Sequence, residues 1–191
     1  HEKRRGVVYA RNKCLNKVKK INPKFISFFD DDCIVDRLWL KNVFKIIKFT
    51  NAEIVTGPQI PLKKNSLNNS NLINYSQFFE KRYRGDINRV NWAASNNVFL
   101  KYDIIKKHKL VFDKTLNKFG IGEDQLFFLK LNSYGHKIYW SKSIKVFEDV
   151  HGHRLNLKWL IRRSFRLGVL GYYIDINIYG RLMGFIINYL N

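Results

Sequence analysis

With 191 residues, the chain can bury one core but hardly two, so one domain, or part of one, is the expected organisation. Its 46% hydrophobic and 15% aromatic content, with 11 Gly and 3 Pro, excludes collagen-like and wholly disordered chains. Subtracting 15 acidic from 35 basic side chains leaves a formal charge of +20 at pH 7, a field that favours nucleotides, nucleic acid or acidic lipid without choosing among them.

The opening His1-Glu2-Lys3-Arg4-Arg5 carries no Met, and no apolar segment of signal-peptide type follows, which predicts a fragment that starts mid-domain. Lys24 to Phe29 is an apolar run of strand length after Asn22-Pro23, stopped by Asp30, Asp31 and Asp32; it reads as a buried strand ending in three carboxylates. From Asp36, a plausible cap, the residues Leu38, Leu40, Val43, Phe44, Ile46 and Ile47 recur at roughly helical spacing. Glu53 to Gly57 reads as a second short strand closed by Gly57-Pro58, and Lys63 to Asn71 as a polar loop.

Leu72 to Arg84 reads as a helix, Ala93 to Lys101 as a strand and Tyr102 to His108 as a short helix, an α/β pattern. After a turn at Phe119 to Gly122, Leu126, Phe127, Leu129 and Leu131 mark a helix over Glu123 to Tyr134, with acids in its first turn and Gly135 as its cap. His136 to Trp140 and Ile144 to Phe147 read as closing strands, and a basic amphipathic segment runs from Leu155 to the end.

Cys14 and Cys33 form no Cys-x-x-Cys spacing, and histidines do not cluster, so neither a disulfide framework nor a structural zinc site is indicated and a reducing compartment fits. Three aspartates at a strand end repel one another unless a cation sits among them; carboxylate oxygens suit Mg²⁺ or Mn²⁺ bridging phosphates, while the plainer reading is a solvated turn that caps the next helix. In a chain this basic, three of only 15 acids in one turn favour the metal-nucleotide reading. Gly122 presents Glu123 and Asp124 at a helix start, where a carboxylate serves either as a general base or as helix-start electrostatics. Arg162, Arg163 and Arg166 share a helix face that could grip a diphosphate or meet solvent or lipid, and His151 and His153, with Glu148 and Asp149, offer one more metal ligand or ordinary loop residues.

These motifs, in this order, resemble the family 2 glycosyltransferases, inverting enzymes of the GT-A fold. The matching pieces are Gly6 to Leu15 with its Ala-Arg-Asn, Phe25 to Asp32, Val55 to Pro58, Ala94 to Asn97, Phe112-Asp113, Gly122-Glu123-Asp124, Tyr134-Gly135 and Arg163 to Gly168. The resemblance covers roughly residues 6 to 168 and implies a Rossmann-like mixed sheet flanked by helices and lacking its first strands. It divides the chain into a partial GT-A domain at 1–153 and a basic helical segment at 154–191, and assigns activity to the intact protein. It implies transfer of a sugar from a nucleotide-sugar donor, with inversion and metal assistance, to a glycan or lipid-linked acceptor, as in polysaccharide synthesis. Residue by residue, Asp30 contacts the nucleotide sugar and joins Asp32 at a Mg²⁺ or Mn²⁺ ion, with Asp31 in support and Arg163 and Arg166 neutralising the departing diphosphate. Asp124 is the acceptor-activating base and Glu123 the lesser carboxylate beside it.

The chain departs from the family at Lys130, where many members carry Arg; at Leu167, where synthases carry Trp; and at Glu148 or His151, where others offer a metal-ligating His. These differences point away from processive polymer synthesis. No nucleic-acid motif is present, although a basic nucleic-acid-binding module and a membrane-surface scaffold are the competing classes. The run Leu167 to Leu190 approaches span length but is interrupted by Asp175, Asn177, Arg181 and Asn188, so a span is disfavoured; the segment either attaches peripherally to the inner face of an anionic membrane or packs its apolar residues on the domain or on further sequence, and the expected location is the cytoplasm.

Overall fold

The computed structural model describes residues 1–62, 85–148, 157–181 and 183. The expected helix at Leu72 to Arg84, the histidines His151 and His153, and the expected domain boundary at 153/154 lie outside the described residues. In chain order the elements are α1 (Val7–Ile21), β1 (Phe25–Phe29), β2 (Cys33–Val35), α2 (Trp39–Thr50), β3 (Ile54–Thr56), β4 (Gln59–Pro61) and β5 (Ile87–Val90). Then come β6 (Asn97–Lys101), α3 (Tyr102–His108), a 3₁₀ turn (Lys114–Lys118), α4 (Glu123–Ser133), β7 (Ile138–Ser141), β8 (Val146–Glu148) and α5 (Leu157–Tyr179). The chain divides into two units that interleave in sequence: residues 1–26, 101–136 and from 165 on form the first, and 27–100 and 137–164 the second.

The second unit is built on a sheet of order β1-β6-β3-β7-β5, in which β3 pairs antiparallel to β6 and parallel to β7, and β5 antiparallel to β7. A smaller sheet has the order β2-β8-β4. Ile54, Val55, Val98 and Leu100 are fully buried at the centre of the larger sheet. Contrary to the buried strand expected at Lys24 to Phe29, β1 is half-exposed, because among the described residues it stands at the sheet edge beside β6. Its Phe29 meets Trp39 edge-on at 5.0 Å.

Helix α2 starts later than Asp36: the Asp36 carboxylate accepts from Leu38 N–H at 2.8 Å, an Asx turn that aims the helix before it begins. Its buried side is Trp39, Val43 and Ile46, whereas Leu38, Leu40 and Phe44 are exposed. The strand expected from Ala93 starts only at Asn97, because the residues before it form a turn in which Asn97 N–H donates to the Ala94 carbonyl at 3.5 Å, and the Asn97 side chain is a buried hub. Its amide donates to the carbonyls of Pro58 (3.1 Å) and Ile144 (2.8 Å), and its Oδ1 accepts from the Trp39 indole (2.8 Å). The Thr56 hydroxyl donates to the Asn97 carbonyl at 2.7 Å, so one asparagine ties β3, β6, α2 and the approach to β8 together.

Gly57 has a separate reason to be glycine: a Cβ there would stand 1.8 Å from the Ile144 carbonyl oxygen, a backbone atom that cannot turn aside. Gly57→Ala is therefore expected to cost about 3 kcal/mol by forced repacking, read as a lowered urea midpoint. An unchanged midpoint would mean that the two loops do not approach this closely.

The first unit is helical. Asn12, on α1, clasps the backbone of Phe112 in both directions, donating to its carbonyl at 2.8 Å and accepting from its N–H at 2.9 Å. Phe112 stacks on Phe127 at 4.3 Å, and Asp113 caps the 3₁₀ turn by accepting from Thr115 N–H and hydroxyl. Helix α4 ends in a complete Schellman arrangement: Gly135, with φ +90, donates to Asn132, and His136 donates to Leu131. In α5, Leu170 and Ile174 join Leu116 and Leu126 in a buried cluster. No helix among the described residues is long and apolar enough to cross a membrane.

Candidate active site

The three aspartates lie in the second unit, on a tight turn in which Cys33 N–H donates to the Asp30 carbonyl at 3.2 Å. The turn separates them: Asp31 is exposed, while Asp30 and Asp32 are half-buried. The register of β2 and β8 sets Cys33 directly opposite Glu148. Burial first, and then the charges of Asp30, Asp32 and Glu148, push the Cys33 thiol up to about 11. Among the described residues, no three His, Cys, Asp or Glu side chains stand ready to hold a metal ion.

Two further residues reach this turn that the sequence did not single out in that role. Gln59 Nε2 lies 3.7 Å from Cys33 Sγ, and the Asn96 amide donates to Gln59 Oε1. A polar chain therefore runs from the Ala94-Ser95-Asn96-Asn97 segment to the acidic turn. Arg163, in the same unit, holds its guanidinium 5.3 Å from the centre of the Trp159 ring.

In the first unit, Gly122 precedes α4 with φ +86, a left-handed conformation that L side chains adopt at a cost, and a Cβ there would meet Leu170 Cδ2 at 2.1 Å. This turn throws the next two carboxylates into different environments. Glu123 is buried, and its Oε1 accepts from Arg11 Nη1 of α1, the two side chains being only 6% and 14% exposed. Glu123 Oε2 is buried without a hydrogen-bond partner among the described residues. Burial, followed by the charge of Asp124, raises the Glu123 pKa above the ordinary carboxylate value, with Arg11 acting in the opposite direction. Asp124 is half-buried and accepts from Gln125 N–H at 2.8 Å.

Arg166 lies in the first unit as well. Its guanidinium donates to the Phe119 carbonyl, in the turn that leads into Gly122. The first unit thus holds Glu123 and Asp124 at the start of α4, with Arg166 anchored on the turn before it, and the second holds Asp30 and Asp32 on the turn that precedes the Cys33–Glu148 register pair. Arg11 is the residue sequence reasoning missed: the Ala-Arg-Asn segment was legible, but its long-range partner Glu123 was not.

The glycosyl transferase family 2 pattern matches residues 1–108, more than half of the chain. Succinoglycan biosynthesis protein ExoM of Rhizobium meliloti (strain 1021) is 29% identical over 167 residues, which are 85% of this chain and 51% of ExoM; the chain thus spans about half the length of that relative. Among solved structures, A197 from STIV is similar with a TM-score of 0.54 and 18% identity over 78% of this chain and 70% of that one. S. aureus TarS 1-349 in complex with UDP-GlcNAc is similar with a TM-score of 0.56 and 14% identity over 90% of this chain and 47% of that one. These structural likenesses fix the fold as GT-A, and with the Ala-Arg-Asn helix and the acidic turn both inside the matched residues, the chain belongs to glycosyl transferase family 2.

Proposed function

We propose that the whole protein transfers a sugar, with inversion and with the help of Mg²⁺ or Mn²⁺, from a nucleotide-sugar donor to a hydroxyl of a glycan or lipid-linked acceptor. The observation that carries this reading is the separation of roles at Gly122-Glu123-Asp124: Glu123 is held by Arg11, and its half-buried neighbour Asp124 stands at the positive end of α4. Asp124 would take the proton from the acceptor hydroxyl as that oxygen attacks the anomeric carbon, and the nucleoside diphosphate would leave from the opposite face.

The acidic turn supports the other half of the reaction. Mg²⁺ is commonly held by one or two carboxylates together with substrate phosphates and water, and the half-buried pair Asp30 and Asp32 fits that donor set. A bound cation would neutralise charge on the departing diphosphate. Asp30 would also contact the nucleotide sugar, and exposed Asp31 would add negative potential without a ligand role. Arg166 and Arg163 supply the remaining positive charge for the diphosphate. The TarS complex with UDP-GlcNAc supports a nucleotide sugar as the class of donor.

Asp32→Asn in the whole protein tests the metal assignment. It is expected to weaken Mn²⁺ binding and Mn²⁺-dependent transfer by at least about tenfold, since removing a hard anionic oxygen weakens a hard-cation site. Unchanged metal affinity and unchanged Mn²⁺ dependence would remove Asp32 from the ligand set.

A further inference from the structure

We propose that the outer face of α5 is a docking surface for an anionic lipid bilayer. One side of this helix is already used: Leu160, Leu170 and Ile174 are buried, the latter two against Leu116 and Leu126 of the first unit. The other side is apolar as well. Leu157, Ile161, Phe165, Val169, Tyr172 and Tyr179 advance by four, four, four, three and seven residues, which keeps them on one stripe. Each is between 44% and 73% exposed. A helix packed on a domain by one face ordinarily turns a polar face outward, so a second apolar stripe calls for a second apolar environment.

The charges around the stripe say which environment. Lys158 and Arg162 each follow a stripe residue by one position and are exposed, so they climb along its flank; the only acid from Leu157 to Tyr179 is Asp175, which sits on the stripe itself, three residues after Tyr172 and four before Tyr179. The whole chain carries +20. Two copies meeting through this face would bring basic flanks together, which is unfavourable, whereas an acidic headgroup layer neutralises them. Tyr172 and Tyr179 have the amphipathic rings that settle at the headgroup boundary, and a helix lying in that plane needs neither the length nor the uniform apolarity of a span. The orientation would leave the Leu170 and Ile174 side on its own core and bring a lipid-borne acceptor to the protein's surface. The docking face stands independently of the proposed chemistry, because none of its stripe residues takes part in it.

Flotation of the protein with vesicles of phosphatidylcholine, with and without phosphatidylglycerol, tests this directly. Binding is expected on the acidic vesicles, weaker by tenfold or more on neutral ones, and reversed by high salt. Lys158→Gln with Arg162→Gln should weaken binding about thirtyfold, since each basic group near an anionic surface contributes roughly a factor of five. Phe165→Ser with Tyr172→Ser should abolish flotation while leaving the thermal midpoint near that of the parent, because both side chains are exposed. Absence of flotation, flotation indifferent to both double variants, or carbonate-resistant membrane insertion would overturn the proposal. So would a soluble dimer that dissociates in the Phe165→Ser, Tyr172→Ser variant. Nucleotide-sugar binding by the same samples reports separately on the transferase reading.

Discussion

Asp124→Asn is expected to lower turnover by about 10² to 10⁴ while leaving donor affinity nearly unchanged. Asn preserves the size of the side chain and its capacity to accept from Gln125 N–H, so the start of α4 should survive the change. What Asn cannot do is accept a proton from an acceptor hydroxyl, a loss felt in the transition state rather than in the ground state. The companion variant Glu123→Gln separates catalysis from positioning. Glu123 is buried and held by Arg11, so its loss should act through the placement of Asp124, raising the acceptor KM together with a smaller fall in kcat. Turnover of Asp124→Asn equal to the parent at saturating substrates would exclude Asp124 as the base. A fall in Glu123→Gln as large as in Asp124→Asn, with KM unchanged, would instead assign the base role to Glu123.

The contrast between these two neighbours shows what the sequence could and could not convey. A glycine followed by two acids before an amphipathic run announces a helix start carrying carboxylates, and α4 begins at Glu123 as expected. Which carboxylate is buried depends on a residue 112 positions earlier, because Arg11 approaches from α1. No local pattern encodes that contact. The same division runs through the fold. Runs such as Phe25 to Phe29 and Ile54 to Thr56 are visible because their apolar content is local, and β8 overlaps the strand expected at Ile144 to Phe147, while β2 and β4 are short segments beside turns with no pattern of their own. The β1 edge was misread as buried for a related reason: an apolar run reports a side chain's preference, and only the sheet order decides how many neighbours the strand has.

Motif residues that looked chemical in sequence prove to be of two kinds. Asn12 has its side-chain groups committed to the Phe112 backbone, and Asn97 to two backbone carbonyls and the Trp39 indole, so they shape the surrounding loops. Asn96 and Gln59 lead instead to the acidic turn. A sequence motif lists both kinds side by side, and their hydrogen-bond partners separate them.

Arg11→Leu is expected to be among the most destabilising single changes in the first unit, at about 3 kcal/mol or more near neutral pH. The guanidinium both pairs with Glu123 and lies 5.7 Å from the centre of the Phe112 ring, so its removal leaves a buried carboxylate with no cation beside it. The loss should also depend on pH in a direction fixed by Glu123. In the parent, the folded-state pKa of Glu123 is already above its ordinary value, chiefly through burial, so its contribution is most favourable below the ordinary carboxylate pKa and declines as pH rises through the raised one. Arg11 is the group that opposes this rise. Without it the folded-state pKa moves further up, the proton is held more tightly, and the penalty for ionising Glu123 extends to higher pH. The stability difference between Arg11→Leu and parent should therefore be small at about pH 5 and grow towards pH 8, followed by urea unfolding at each pH. Adding Glu123→Leu to Arg11→Leu should recover much of the loss at pH 8, because two apolar groups replace an orphaned charge. A destabilisation equal at both pH values and unrelieved by the second substitution would mean that Arg11 acts by packing on Phe112, with no energetic link to the carboxylate that precedes Asp124.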